Sequence, residues 1–258
     1  MSSNMLKLSL VATSLFLFSG CVIHTGSFKG ERANVHLDER LSLPASTLNA
    51  FDIDVGAGDL SIIGVEGQTD IKVEADIRTN ENRDYELTLV KRGSRAELVA
   101  HHNAHFGFYN GDSPRIHLVV TMPPQLKLDI EDGSGDLSVR NINASVTLED
   151  GSGTATLSNI NGAVTIDDDS GDLFVRNVVG ALEIEDGSGE LEVESIAGDV
   201  SVVDGSGDLS ITNTTGKVII DDGSGDIDVL STGSLQIIDA GSGDLSIANV
   251  RNGVDIES

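Results

Sequence analysis

Seven Ser-Gly pairs, beginning at Ser134, Ser152, Ser170, Ser188, Ser206, Ser224 and Ser242, recur at a strict 18-residue interval through the C-terminal half of the chain. A unit that short cannot bury an apolar face by itself, so each must be one coil of a stacked array whose neighbours complete the core. Leu137, Val139, Ile142, Val146 and Leu148 of the first full unit recur 18 residues on as Leu, Ile or Val with few exceptions. Side chains alternate along a strand, so 137 and 139 share one face, as do 146 and 148. Two short strands per coil, joined by two tight turns, predict an all-β fold: a parallel β-solenoid (β-helix) with 18-residue coils stacked about 4.8 Å apart. The glycines of the D-G-S-G turns permit positive φ where the chain reverses. A corner column of Asn141, Asn159, Asn177, Asn213 and Asn249, completed by Ser195 and Ser231, predicts side-chain amides hydrogen-bonded along the axis. The rival fold is an antiparallel meander with Asn161-Gly162 as a hairpin turn. It would leave an apolar face uncovered, and residues 126–258 contain no amphipathic helix to cover it. Leu235 and Ile237 sit one position early in the sixth coil, which a bulge would absorb.

Ahead of the array the pattern changes several times. Residues 1–20 read as a targeting segment: Lys7, then eleven mostly apolar residues from Leu8 to Phe18, then Ser19-Gly20 before Cys21. The run is short for a membrane span, and its end, F-S-G-C, resembles the lipobox of bacterial lipoproteins, with Phe18 where leucine is commonest. The resemblance implies acylation of Cys21, a membrane-anchored mature N-terminus and, from Val22 in the following position, an outer-membrane address. As Cys21 is the only cysteine, disulfides and cysteine-based metal sites are excluded. Residues 21–45 read as a polar tether. Residues 46–125 read as a diverged coil, with Gly56-Ala57-Gly58-Asp59-Leu60 in place of G-S-G-D-L, plus a β-hairpin insertion or cap carrying the alternating runs YELTLV, AELVA and IHLVV and closed by Pro123-Pro124. Residues 126–258 are the regular repeats.

The formal charge of −26 is concentrated in those repeats, where residues 126–258 carry 27 acidic and 5 basic side chains. Such a surface repels nucleic acid and anionic lipid headgroups. Two acidic columns run through it. Asp136, Asp172, Glu190, Asp208, Asp226 and Asp244 form one, broken at Thr154; Asp132, Asp150, Asp168, Asp186, Asp204 and Asp222 form the other, ending at Ala240. Carboxylates about 4.8 Å apart repel by about 1 kcal/mol per pair in water and about 3–4 at an effective dielectric of 20. Bound cations, protonation or splaying into solvent must offset that. The aspartates of both columns are therefore candidate ligands for weakly bound calcium, set against a solvated acidic face that keeps the tube soluble and discourages edge pairing. The calcium nonapeptide G-G-x-G-x-D-x-U-x is not matched. A second candidate is a loop dense in imidazoles and rings, His101, His102, His105, Phe106, Phe108 and Tyr109, either a ligand-contacting tip or transition-metal site, or packing at a hairpin end.

The lipobox, the early GAGDL copy and the serial DGSGDL units together resemble the bacterial "putative adhesin" family of β-strand-repeat envelope lipoproteins, whose members carry a domain of unknown function with S-G-D-hydrophobic motifs. The similarity covers about residues 46–258. It implies a β-solenoid and a role in adhesion or envelope sensing, and it supplies no catalytic residues. The expectation is a lipid-anchored envelope module that meets a protein or polysaccharide partner through its surface, with end-to-end association of copies also open. A periplasm-facing structural or stress-sensing role is the alternative. A polysaccharide-cleaving β-helix enzyme is the third reading, but the acids repeat evenly and an active site breaks symmetry.

Overall fold

Leucine, isoleucine and valine at every second position drive the chain into short strands that are apolar on one face only. In a computed structural model that describes residues 33–102 and 113–257, these strands form two eleven-stranded sheets enclosing one apolar core. Seven strands precede the regular array: β1 (Val35–Pro44), β2 (Ala50–Ala57), β3 (Leu60–Gly64), β4 (Asp70–Thr79), β5 (Tyr85–Arg92), β6 (Arg95–His102) and β7 (Arg115–Met122). Each regular coil then gives one strand to each sheet. The pairs are β8 (Lys127–Ser134) with β9 (Leu137–Ile142), β10 (Val146–Asp150) with β11 (Gly153–Ile160), β12 (Val164–Asp168) with β13 (Gly171–Val178), and β14 (Leu182–Asp186) with β15 (Leu191–Ile196). They continue as β16 (Val200–Asp204) with β17 (Leu209–Thr212), β18 (Lys217–Asp222) with β19 (Ile227–Leu230), and β20 (Ser234–Asp239) with β21 (Leu245–Ala248), ending on β22 (Val254–Ile256).

Successive coils pair in parallel at the repeat distance, Val146 against Val164 and Leu157 against Val175, so like residues stack on like. The meander is excluded. Inward columns such as Leu148, Ile166, Ile184, Val202 and Ile220 are at most 1% exposed. At about 25 cal/mol per Å² of apolar surface removed from water, each such side chain contributes roughly 1.5–3 kcal/mol. The early apolar residues of the sixth coil are accommodated as expected: the register is Ile220 to Ile237, then Asp221 to Asp239, and Ile238 bulges outward, 44% exposed.

The N-terminal part departs from the expectation. Residues 35–44, read as part of a tether, form β1, which pairs antiparallel along its full length with β4. The expected hairpin exists as β5–β6. However, β6 also pairs in parallel with β2, and β7 with β3, so β6 and β7 form a further coil lying outside the β2–β3 coil. The β2–β3 coil is thus sandwiched between a later segment, β6–β7, and the first regular coil, β8–β9. Sequence reading missed the β6–β7 coil because no D-G-S-G turn joins its strands. Beyond it, β4 pairs antiparallel with β7 and closes the parallel array of the first sheet.

Two corner columns explain the composition. Gly135, Gly153, Gly171, Gly189, Gly207 and Gly225 have φ of 135° to 151°, and a Cβ at Gly153 would lie 1.8 Å from the Gly135 carbonyl oxygen one coil away. At the opposite corner Asn141, Asn159, Asn177, Ser195, Asn213, Ser231 and Asn249 adopt the left-handed conformation, φ 56° to 62°. Asparagine tolerates that region better than other chiral residues, a reason for the column additional to its hydrogen bonds. Those bonds are present: Asn159 Nδ2 donates to Asn141 Oδ1 at 3.1 Å, and Asn177 Nδ2 to Asn159 Oδ1 at 3.2 Å. Asn159→Ala should cost about 1–3 kcal/mol through the backbone conformation and two lost bonds, and Asn159→Gly about half of that because glycine keeps the corner. Equal losses in urea unfolding would show that the left-handed corner contributes nothing.

A candidate acidic interaction surface

The two acidic columns prove to be chemically different. Asp132, Asp150, Asp168, Asp186, Asp204 and Asp222 lie in register along the second sheet and point inward, each at most 4% exposed. Val55 and Ala100 extend the file at one end, so apolar side chains seal it there. The turn that follows explains part of the placement, for the N–H groups of Ser170, Ser188 and Ser224 donate to Asp168, Asp186 and Asp222 at 3.0, 3.1 and 3.2 Å. One oxygen of each of those three has no hydrogen-bond partner, and Asp132, Asp150 and Asp204 face the N–H groups of Ser134, Ser152 and Ser206 in the same turn without a bond of ordinary geometry. A buried carboxylate without partners favours its neutral form. Burial, and then the charge of Asp150, pushes Asp132 up to about 7; burial and then Asp204 pushes Asp186 up to about 7. Asp150 and Asp204 are raised to about 6 by burial and by Asp168 and Asp222 respectively, and burial raises Asp168 and Asp222 too. Both burial and mutual repulsion thus favour protonation of this file as the pH falls toward 6.

The other column points outward and is relieved differently. The carboxylates of Asp172, Asp208 and Asp226 accept the backbone N–H of Glu190, Asp226 and Asp244 in the next coil at 3.2, 3.2 and 2.8 Å. Asp59 does the same for Asp136 at 3.3 Å. The register carries this file across the coils of the first sheet to His117, Asp76 and Asp38. On the second sheet Asp54, Glu131, Glu149, Asp167 and Glu185 form an unbroken outward run beside the buried aspartates. An open cleft of about 470 Å³ follows the glycine corner there, lined by Asp54, Glu131, Glu149, Asp167 and Asp169 with His101 as its lone imidazole. His101 Nε2 lies 2.6 Å from Asp54 Oδ1.

Of the ring-rich loop, His101 and His102 end β6, while His105, Phe106, Phe108 and Tyr109 lie outside the described residues, as does Cys21. His102 packs edge-on against Tyr85, ring centroids 6.3 Å apart, and burial pushes its imidazole below the usual value. That geometry places His102 in packing at the hairpin. The inward direction of the Asp132 column was available from the sequence, since Asp132 shares the parity of Leu128 and Ile130. The cluster of His36 with Asp38 and Asp76 was not, because it is assembled across two strands.

Residues 94–254 match the family described as Toastrack DUF4097. The chain belongs to that family. The matched region opens at the β5–β6 turn and runs to β22, so in this Toastrack DUF4097 chain the β2–β3 coil and β1 lie ahead of it. No curated protein matches in sequence. Among solved structures, a "putative adhesin" from Bacteroides fragilis is similar with a TM-score of 0.47 at 14% identity, covering 88% of this chain and 99% of that one. One from Parabacteroides distasonis has a TM-score of 0.45 at 11% identity, with 88% and 99% covered. A "putative cell adhesion protein" from Clostridium sporogenes has 0.36 at 12% identity, with 86% and 100% covered.

Proposed function

We propose that this protein is a lipid-anchored module of the bacterial cell envelope that acts by presenting its acidic solenoid face to a surface partner, in adhesion or a related interaction and not in catalysis. The observation that carries this reading is the evenness of the outward carboxylate run on the second sheet. Asp54 to Glu185 repeat at one strand spacing without interruption, and the cleft beside them gathers acids with a single histidine. A catalytic pair needs two carboxyls in unlike environments, whereas Glu131, Glu149, Asp167 and Glu185 hold equivalent register positions from coil to coil. A rigid row of like charges suits an extended cationic or cation-bridged partner surface, which it draws in over long range at low salt. Anchoring through Cys21 would hold the tube at the membrane, since two or three acyl chains give essentially permanent attachment.

Intact cells carrying the wild-type chain should label with a membrane-impermeant amine reagent, and the protein should fractionate with membranes and incorporate palmitate. Cys21→Ser should abolish the palmitate and release the chain. A chain that labels only after the outer membrane is permeabilised would transfer the reading to a periplasm-facing structural or sensing role.

A further inference from the structure

β1 and β4 bring His36, Asp38 and Asp76 together on the outer surface of the first sheet. Among the described residues they are the single group of three histidine, cysteine or acidic side chains whose ligand atoms all lie within 4.8 Å of one another, a test that the long carboxylate files do not meet. The strand geometry accounts for it. His36 and Asp38 are two residues apart and share a face, and Asp76 stands directly opposite Asp38 in the antiparallel register.

Two like charges directly opposed destabilise a sheet. Elsewhere in this file a carboxylate is relieved by the neighbouring coil's N–H, as at Asp59, Asp172, Asp208 and Asp226. Asp38 and Asp76 receive no such bond. Arg40 is engaged by Glu74 at 3.3 Å, and Arg78, opposite His36, forms an ion pair with neither aspartate. His36 Nε2 lies 2.8 Å from Asp76 Oδ1, so the imidazole and that carboxylate already meet. A dication would neutralise both carboxylates and accept the imidazole nitrogen. The nitrogen discriminates between metals: calcium and magnesium prefer oxygen alone, whereas zinc and its neighbours take imidazole with carboxylate.

We propose that His36, Asp38 and Asp76 bind a divalent transition metal of the zinc class, with its remaining position open to water or to a ligand from a partner. Tetrahedral zinc holds nitrogen and oxygen at about 2.0–2.2 Å, hence about 3.4 Å from one another. His36 Nε2 and Asp76 Oδ1, now 2.8 Å apart, must open slightly to take the ion between them, and both side chains are about half exposed, with room to do so.

Titration of zinc chloride into the detergent-solubilised full-length chain should show one ion bound, undisturbed by excess calcium. His36→Ala and Asp76→Asn should each weaken binding by about tenfold or more, about 1.4 kcal/mol or more, with an unchanged unfolding midpoint in the absence of metal. Cobalt should give a visible tetrahedral absorption that His36→Ala removes. The proposal is overturned by the absence of zinc binding, by binding that survives both substitutions, by equal competition from calcium, or by loss in His102→Ala with retention in His36→Ala, which would put the ion at the β6–β7 loop.

Discussion

Asp186→Asn should raise the thermal midpoint most at pH 8, by a smaller amount at pH 5, and leave it nearly unchanged below about pH 4. Asp186 is 4% exposed, and burial followed by the charge of Asp204 raises it to about 7. Because the folded-state value lies above the unfolded value of 3.8, the folded chain binds more protons between the two. Its stability is therefore fully present below about pH 4 and falls as pH rises through 7. A shift of that size corresponds to at most about 4 kcal/mol at Asp186, and several degrees in midpoint for a chain of this length. Asparagine keeps the acceptor for the Ser188 N–H at 3.1 Å and cannot ionise. Its Nδ2 faces neighbouring aspartates at the same 18-residue step that joins Asn141, Asn159 and Asn177 on the outer corner. The wild-type chain should itself melt several degrees higher at pH 5 than at pH 8. A wild-type midpoint that rises toward pH 8, or an Asp186→Asn variant that melts lower than wild type there, would show that the file is stable as buried carboxylates.

Gly207→Ala should unfold or grossly weaken the array, with a loss of about 3 kcal/mol or more. Two costs coincide at Gly207. Its φ of 147° is nearly closed to residues with a Cβ, and that Cβ would sit 1.6 Å from the Gly189 carbonyl oxygen, which belongs to the backbone and cannot turn away. The neighbouring coil must move, and with it every coil registered against it. Gly67→Ala separates the two costs. Gly67 has φ of 78°, but no atom lies within 4 Å of its added Cβ, so only the backbone preference is lost, about 1 kcal/mol. Similar losses for the two variants in urea unfolding would mean that contact between stacked turns is not what selects glycine.

Much of this fold was legible in the repeats because a stacked array has one interaction, coil on coil, written out many times. The columns at Leu137, Val139, Val146 and Leu148 carried the strands, Gly135 and its equivalents the turns, and Leu235 with Ile237 the bulge. The ends were less legible. β1 lies in a stretch with no repeat signature, and its partner β4 is fixed by long-range pairing of Val35 with Thr79 through to Pro44 with Asp70. β6 and β7 form a coil although twelve residues separate His102 from Arg115 in the sequence, so spacing could not reveal it. The site followed the same rule. The columns of aspartates were visible, but their opposite fates depended on which side of the backbone each faced and on what lay beside it.

The amino-acid order alone determined a parallel stack, its 18-residue coil and its acidic columns, because those follow from local alternation and from the steric needs of turns repeated at a constant interval. Only the folded molecule decided that the β2–β3 coil lies inside β6–β7, that one file of aspartates is buried with its carboxyls raised toward neutrality, and that His36 meets Asp76. Each of these is set by contacts between segments far apart in the chain, whose free energy depends on three-dimensional packing and solvent exclusion and leaves no periodic mark in the sequence.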